Sequence, residues 1–299
     1  MRCYHPFPSV DYFETRRQLI DDRLEAIGES LQAPAPLIAP LRHSIASPGK
    51  RVRGLLTIAV AEALGKKAQK LLDAAAAMEM IHTSSLILDD LPSMDDATMR
   101  RGAPALHRQF GEDLAILTSV ALLNHAYGLV AANHRTMKPR RWTAYDVVQR
   151  VVDAVGWDGT IAGESVDLHS EGSKLDFDTL EFIHSRKTGA LFVAAAAVGA
   201  MLANANSATT RRIEIYAKNL GLAFQITDDV LDVTSNVAQL GKDVGKDAQR
   251  LTFVKLAGVE GARKLTGELV ETSLAALAPM RAAADPLRAL AVMVRDRVK

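Results

Sequence analysis

Long stretches of this chain repeat apolar residues at the spacing of one helix face, and this periodicity constrains the fold more than any other feature. The main stretches are residues 55–64, 71–91, 114–132 and 211–234. Alanine, leucine, lysine, arginine and glutamate dominate, whereas runs of β-branched residues are short. Turn-forming stretches interrupt the pattern at 47–50, 91–96, 137–142, 169–174, 204–210 and 240–247. The sequence therefore predicts an almost entirely α-helical protein.

Composition and length exclude several classes of protein. A formal net charge of +1 over 299 residues gives no indication of a nucleic-acid-binding surface. The most apolar stretch, residues 190–203, is shorter than the roughly 20 residues that span a bilayer, so we predict a buried helix and no membrane span. Cys3 is the only cysteine, and the amino terminus has no apolar run of the kind that a secretory signal needs. We therefore expect a cytoplasmic protein.

An acidic cluster, "DDLPSMDD" at 89–96, follows the second periodic stretch. Pro92 lacks an amide hydrogen and disfavours helix at the residue before it, so a helix should run up to Asp89 and Asp90. The partial negative charge of a helix C-terminus disfavours an anion by about 0.3–1 kcal/mol. We therefore expect a cation to offset these carboxylates.

A second acidic cluster, "QITDDVLDV" at 225–233, contains Asp228 and Asp232 four residues apart, with Gln225 one turn earlier. This spacing places the two carboxylates on one helix face, about 6 Å apart. Mg²⁺ typically combines a few carboxylates with water and substrate phosphates. Two sparse clusters suit a metal–diphosphate site, although a solvated acidic turn remains the alternative for either cluster taken alone. The spacing of a calcium-binding EF-hand loop is absent.

Basic and polar residues that could hold a diphosphate occur at several points. They are Lys50, Arg53, His82, Arg100, Arg101, Lys187, Thr188 and Lys242. Lys50 and Arg53 are three residues apart at a predicted helix start, where free amides also favour anions. His82 lies two helical turns before Asp89, about 10 Å away. Each of these residues, considered singly, has an ordinary alternative as a solvated or structural side chain.

Taken in order, these residues give the chain its resemblance to the trans-type polyprenyl diphosphate synthases, and most closely to the bacterial and plant geranylgeranyl diphosphate synthases. The motifs that carry the resemblance are "GKRVR" at 49–53, "DDLPSMD" at 89–95, "RRG" at 100–102, "KTGALF" at 187–192 and "DDVLD" at 228–232. The resemblance spans about residues 45–260. Pro6 and Pro8 predict a flexible arm over residues 1–10. The resemblance implies one all-α domain over residues 1–299, a helical bundle around a deep central cavity. It also implies a homodimer.

The resemblance further implies Mg²⁺-dependent condensation of isopentenyl diphosphate with an allylic diphosphate (dimethylallyl, geranyl or farnesyl), without a side-chain nucleophile. Several Mg²⁺ ions would be bound by Asp89, Asp90 and Asp95 on one wall and by Asp228, with Asp229 or Asp232, on the other. Isopentenyl diphosphate would be held by Lys50, Arg53, His82 and Arg101. The allylic diphosphate would contact Arg100, Lys187, Thr188, Gln225 and Lys242.

Product length is expected to be twenty carbons, as geranylgeranyl diphosphate. In this family an aromatic residue five positions before the first aspartate tends to stop growth at fifteen carbons, whereas this chain has Ser84 there, with Ser85 beside it. The pocket floor should then lie at least one turn further, about 5 Å deeper, near Met80 or Ile81. Alternatively, the serines only allow close helix packing, and another residue forms the floor.

The chain departs from the family pattern at two positions whose effect the sequence leaves open, and three alternative functions are also compatible with parts of the sequence. Glu164 replaces a common glutamine and Arg250 a common lysine, which bears on rate and substrate preference. A farnesyl diphosphate synthase, which makes the fifteen-carbon product, is the nearest alternative. A terpene cyclase has no second diphosphate to hold, so Lys50, Arg53 and His82 argue against it. A non-catalytic partner subunit would be expected to have lost one aspartate motif, and both are intact.

Overall fold

Helices make up almost all of the computed structural model, which describes residues 10–170, 176–234 and 252–297. The α-helices are α1 Val10–Glu29, α2 Ala35–Ala46, α3 Val52–Ala63, α4 Leu72–Asp89, α5 Leu106–Phe110, α6 Glu112–Met137, α7 Ala144–Val155, α8 Thr160–His169, α9 Phe177–His184, α10 Ala190–Leu202, α11 Ser207–Thr234, α12 Phe253–Ala276 and α13 Asp285–Arg295. In these ranges the strands are limited to β1 Met99–Arg100 and β2 Ala103–Pro104, which pair antiparallel. The predicted all-α class is confirmed.

Most helix ends fall where the turn-forming stretches predict them. α4 ends at Asp89, as expected from Pro92. The break predicted at 204–210 is shorter, because the Asn206 side chain accepts a hydrogen bond from the Thr209 amide and α11 begins at Ser207. The predicted break at 240–247 lies outside the described residues, as do residues 1–9 of the predicted arm. Val10 is already the first residue of α1.

The predicted buried helix at 190–203 is α10, which packs against α3, α7 and α11. Its contact with α3 is close: a Cβ at Gly199 would lie 2.5 Å from the Thr57 carbonyl oxygen. The Thr57 hydroxyl also donates to the Ala195 carbonyl, at 3.0 Å. The apolar core around α10 includes residues from Phe13 of α1 to Val294 of α13. Because α10 contacts α3, α4 and α11, this core holds all three helices around it, which positions the site described below.

The long helix α6 packs along α4 on one side and leaves an apolar stripe on the other. Ile116, Leu117 and Val120 of this stripe are exposed. Among the described helices, α6 alone is long and apolar enough to cross a membrane by length and composition. That test is also met by core helices of water-soluble proteins, and α6 is a member of the bundle.

Candidate active site

A cavity of about 730 Å³ opens between α3, α4, α10 and α11. Its volume lies in the range of small-molecule sites. The described residues around it contribute seven lysine and arginine side chains and three carboxylates. Its lining consists of Pro48, Gly49, Lys50, Arg51, Val52, Arg53, Glu79, His82, Ser85, Leu86, Asp89, Arg100, Arg101, Gly102, Lys187, Thr188, Leu191, Phe224, Gln225, Asp228 and Arg297. This excess of positive charge suits a polyanionic ligand.

The first acidic cluster divides into residues with different surroundings. Asp89 lines the cavity at the end of α4. Asp90 is buried and forms an ion pair with Arg100, whose Nε lies 3.1 Å from Asp90 Oδ2. Asp95 turns back over the helix end, and its amide donates to the Asp89 carbonyl at 2.9 Å. Burial, together with the charge of Glu164, raises the pKa of the Asp89 carboxyl to about 7. Asp89 is therefore the member of this cluster that faces a cavity ligand.

In the second acidic cluster, too, one aspartate lines the cavity and its neighbour is buried among hydrogen-bond donors. Asp228 lines the cavity and pairs with Arg297, near the chain end, at 2.5 Å. Asp229 is buried and accepts hydrogen bonds from the Phe253 amide and the Gln225 side chain, both at 3.1 Å. Burial raises the pKa of the Asp229 carboxyl to about 6. Asp232, one turn beyond Asp228, is partly buried and lies outside the cavity lining.

The two aspartates that line the cavity determine which metal could be held. No three His, Cys, Asp or Glu side chains of the described residues lie close enough together to form a metal cage. Asp89 and Asp228, on separate helices, border the same cavity as the cationic side chains. Mg²⁺ commonly binds through one or two carboxylates plus substrate phosphates. The donor set thus fits Mg²⁺ that is shared with a diphosphate, rather than a metal held by the protein alone.

The loop before α3 supplies the first group of cations. Arg51 has a left-handed conformation, with φ of 50°, and its side chain pairs with Asp21 of α1 at 2.7 Å. This turn leaves Lys50 in the loop and Arg53 in the first turn of α3, and both line the cavity. The Arg53 Nε is buried without a hydrogen-bond partner among the described residues, and burial lowers the pKa of Arg53 to about 10. Arg51, which the sequence did not single out, sets this geometry.

The β1–β2 hairpin and α4 supply a second group. The two-residue turn has φ of 53° at Arg101 and 79° at Gly102, the signs of a type I′ turn, and it turns Arg101 into the cavity lining. His82 lies on the cavity face of α4. Burial and the positive charge of Arg53 hold the pKa of His82 well below its ordinary value. Glu79, one turn earlier, also lines the cavity and accepts a hydrogen bond from the Gly54 amide at 2.8 Å. Glu79 was not among the residues predicted from the sequence.

Lys187 lies in a π-helical segment, Ser185–Gly189, a form frequent at functional sites. Its Nζ is 2.6 Å from Glu164 Oε2 and 2.7 Å from Asp167 Oδ2, both on α8. Burial opposes the charged form, but Asp167 and Glu164 together raise the pKa of Lys187. Asp167 was missed from sequence, although it lies three residues after Glu164 and therefore on the same helix face. α8 thus acts as a support for Lys187.

Thr188 and Gln225 join the π-helical segment to α11. The Thr188 hydroxyl donates to Gln225 Oε1 at 3.0 Å, and both residues line the cavity. Apolar side chains complete this part of the wall, notably Leu191 and Phe224. Lys242, the remaining predicted contact of the allylic diphosphate, lies outside the described residues, as does Arg250.

The residues predicted to set product length lie at the interface of α4 with α6. Ser84 is buried outside the cavity lining, and its hydroxyl is 2.9 Å from that of Ser119 on α6. Ser85 does line the cavity. Met80 and Ile81 are buried, and Met80 borders a separate small void with Leu122 of α6. An elongating chain that passes Ser84 would therefore run between α4 and α6.

Comparisons with known proteins agree with this geometry. Residues 34–275 match the family model described as polyprenyl synthetase. The chain is 39% identical to geranylgeranyl diphosphate synthase of Cyanophora paradoxa, with 97% of each chain covered. It is 40% identical to the chloroplastic geranylgeranyl pyrophosphate synthase 9 of Arabidopsis thaliana, with 92% of this chain and 79% of that protein covered. The crystal structure of a putative farnesyl-diphosphate synthase from Marinomonas sp. MED121 superposes with a TM-score of 0.81, at 34% identity, over 97% of this chain and 100% of the other. The chain therefore belongs to the polyprenyl synthetase family.

Proposed function

We propose that this protein is a Mg²⁺-dependent prenyltransferase that condenses isopentenyl diphosphate with an allylic diphosphate and releases geranylgeranyl diphosphate. The observation that carries the proposal is the single cavity that two separated carboxylates, Asp89 and Asp228, share with Lys50, Arg53 and other cations. The names of the geranylgeranyl diphosphate synthases among its relatives support the twenty-carbon product.

The cationic groups of the cavity suggest how two diphosphates are distributed. Lys50, Arg53, His82 and Arg101 would hold isopentenyl diphosphate, and the unpartnered Nε of Arg53 is a donor suited to a phosphate oxygen. The allylic diphosphate would be held by Arg100, Lys187, Thr188 and Gln225. Lys242 is a further proposed contact of the same diphosphate. Asp89 and Asp228 would hold Mg²⁺, which stabilises the charge of the departing diphosphate. The hydrogen bonds of Asp90 and Asp229 favour an anchoring role for these two, and Asp95 and Asp232 remain proposed ligands.

The reaction that these groups support balances without a protein nucleophile. The allylic carbon–oxygen bond breaks, and the bonding electrons leave with diphosphate. The double bond of isopentenyl diphosphate then attacks the allylic cation and forms the new carbon–carbon bond. A proton is lost from the extended chain to the released diphosphate. Leu191 and Phe224 would exclude water, which protects the cation from hydrolysis.

We propose that two copies associate through the apolar stripe of α6. Ile116, Leu117 and Val120 lie at helical spacing and are 43%, 57% and 58% exposed, which is unusual for neighbouring apolar side chains on a monomer. Analytical ultracentrifugation of the wild type should give a dimer, and Leu117→Glu should give a monomer. We also propose a single domain, supported by a core that extends from α1 to α13. The lone cysteine supports a cytoplasmic location.

The decisive experiment is product identification. Purified protein is mixed with Mg²⁺, isopentenyl diphosphate and, in turn, dimethylallyl, geranyl or farnesyl diphosphate, and the products are identified by mass. The expected main product has twenty carbons, whereas a main product of fifteen carbons would identify a farnesyl diphosphate synthase. A cyclised product from the allylic substrate alone would identify a terpene cyclase, and no product would favour a non-catalytic subunit.

Variants then test the proposed metal ligands. Asp89→Ala and Asp228→Ala should each lower turnover by orders of magnitude, because the metal that stabilises the leaving group would be lost. Asp22→Ala, which changes an exposed aspartate of α1 outside the cavity lining, should retain wild-type turnover. Near-normal turnover in either cavity variant would refute the metal site.

A further inference from the structure

A series of hydrogen bonds joins the buried Asp229 to two side chains of the cavity wall. Asp229 Oδ2 accepts from the Phe253 amide and Oδ1 accepts from Gln225 Nε2, both at 3.1 Å. Gln225 Oε1 in turn accepts from the Thr188 hydroxyl at 3.0 Å. Gln225 and Thr188 line the cavity, whereas Asp229 is buried outside its lining. The series therefore links a buried carboxylate to the proposed diphosphate site.

Asp229 fixes the direction of every hydrogen bond in this series. A backbone amide only donates and an ionised carboxylate only accepts, so Asp229 presents acceptors at both of its oxygens. Gln225 must therefore turn its NH₂ group toward Asp229 and its oxygen toward Thr188. The opposite orientation of the Gln225 amide would place two acceptors against each other, which is costly away from water. The Thr188 hydroxyl then donates to Gln225, so its hydrogen is not available to a ligand.

The donor end of the series is held by packing. Phe253 is 1% exposed, and its ring lies against the His184 ring, with centroids 5.3 Å apart. His184 directly precedes the π-helical segment that carries Lys187 and Thr188. The Phe253 side chain also belongs to a second apolar cluster, which consists of Leu180, Leu222, Ile226, Val230, Phe253 and Ala262. This packing fixes the Phe253 amide and, through it, the Asp229 carboxylate.

The series leaves one polar hydrogen of Gln225 for a cavity ligand. The Gln225 NH₂ group has two hydrogens, of which Asp229 accepts one. Within the described residues, the other hydrogen makes no hydrogen bond to the protein. An N–H on the cavity wall suits a phosphate oxygen, because a hydrogen bond to a charged acceptor is stronger than one between neutral groups. Asp229 thus determines where this donor lies.

We propose that Asp229 is a positioning residue that fixes the orientation of the Gln225 side-chain amide, so that Gln225 donates to the allylic diphosphate. Thr188 then acts on this diphosphate through Gln225. The inference rests on the proposed function, because that function puts the allylic diphosphate beside Gln225. In this role Asp229 does not bind the metal, which distinguishes it from Asp228. The alternative role, as a metal ligand, has a different experimental signature.

Asp229→Asn tests this role because it keeps the shape of the side chain and reverses the series. The new amide must turn its oxygen toward the Phe253 N–H and therefore presents its NH₂ group to Gln225. Gln225 must then turn its own oxygen toward position 229 and its NH₂ group toward Thr188. The donor leaves its wild-type place, so the KM for geranyl diphosphate should rise about 10-fold, the loss of one hydrogen bond to a charged group. The kcat and the KM for isopentenyl diphosphate should change little, since the lost contact belongs to binding of the allylic substrate.

The experiment combines kinetics with direct binding. Steady-state rates are measured with each substrate varied in turn, and isothermal titration uses geranyl diphosphate with Mg²⁺ in the absence of isopentenyl diphosphate, so that no condensation occurs. All assays are run well above the pKa of about 6 of Asp229, where its carboxyl group is ionised. Asp228→Asn reports on the proposed metal site and should lower kcat by orders of magnitude. Asp73→Asn is the matched control, since Asp73 is a partly buried aspartate that pairs with Arg23 at 2.7 Å outside the cavity lining.

A double-mutant cycle separates this role from a merely structural one. Thr188→Val removes the donor to Gln225 Oε1 and should raise the KM for geranyl diphosphate in the wild-type background. In the Asp229→Asn background it should add little, because both changes act through the same amide. Fully multiplicative effects of the two changes would overturn the coupling through Gln225. Circular dichroism melts establish that each variant is folded.

The remaining outcomes distinguish this inference from the proposed function. A fall in kcat for Asp229→Asn as large as that for Asp228→Asn would make Asp229 a metal ligand and overturn this inference alone. Wild-type affinity for geranyl diphosphate in folded Asp229→Asn would also overturn it. No binding of geranyl diphosphate by the wild type would overturn the proposed function as well.

Discussion

The contact of α8 with the backbone of Lys187 can be tested by a single methyl group. A Cβ built on Gly163 would lie 2.3 Å from the Lys187 nitrogen and 2.9 Å from its Cα. Ordinary van der Waals contact begins near 3.4 Å, so the two elements would have to separate by about 1 Å. Because the opposing atoms are backbone atoms, no side-chain rotation can relieve the clash. Gly163→Ala should therefore displace Lys187 together with its segment.

Two consequences of this displacement can be given magnitudes. Overpacking of this kind costs about 1–3 kcal/mol of folding free energy. At about 2.1 cal/mol/K of unfolding entropy per residue, a chain of 299 residues loses about 1.6 °C per kcal/mol, so Tm should fall by about 2–5 °C. Misplacing a positioning group by about 1 Å can cost about 10²-fold in rate, so kcat/KM for the allylic diphosphate should fall by a comparable factor. The KM for isopentenyl diphosphate should change less, because Lys50 and Arg53 belong to other elements.

Thermal melts and steady-state kinetics with each substrate varied in turn measure these effects. Gly267→Ala is the matched control, because a Cβ at this position of α12 would meet nothing within 4 Å. It should raise stability by about 0.5–1 kcal/mol and leave activity unchanged, since alanine is favoured over glycine inside a helix. A Gly163→Ala protein with wild-type Tm and wild-type kcat/KM would refute the conclusion that this contact positions Lys187.

Three further predictions concern substrate binding, product length and pH. Lys50→Ala should raise the KM for isopentenyl diphosphate by the equivalent of about 1.5–3 kcal/mol and should raise the KM for the allylic diphosphate less. Equal increases of the two KM values in steady-state kinetics would show that Lys50 does not belong to the isopentenyl diphosphate site. Ser84→Phe should shorten the main product, identified by mass, to fifteen carbons. Ser119→Ala, which removes only the hydrogen bonds of the Ser119 hydroxyl to the Ser84 hydroxyl and carbonyl, should not. An unchanged product length in Ser84→Phe would contradict a chain path past this residue. Burial lowers the pKa of His184 from 6.5 to about 4, so between these values the unfolded chain binds a proton that the folded protein does not. Wild-type Tm should therefore fall more steeply from pH 6.5 to 4 than that of His184→Gln, and parallel pH profiles would show that His184 is not held neutral.

The helical part of the fold was predictable because its signals are local. The apolar spacing of residues 71–91 and the proline at 92 are enough to predict α4 and its end at Asp89. The same holds for α10, whose apolar composition predicts burial. Lys50 and Arg53 were expected within one helix start, yet α3 begins at Val52, because the left-handed Arg51 and its ion pair to Asp21 shape the loop. That pair joins residues 30 positions apart, which no local pattern reports.

By itself the sequence determined the helical class, the two acidic motifs and the basic residues near them, since composition, spacing and motif order are properties of the chain. Only the tertiary structure decided which aspartate of each motif faces the cavity. Adjacent helical residues point about 100° apart, and Arg100 and the Phe253 amide, brought in by other elements, bind Asp90 and Asp229. The structure also decided that Glu164 lies against Lys187, because the glycine before it lets α8 approach that backbone. Such contacts depend on how whole helices pack, and packing is a property of the assembled core.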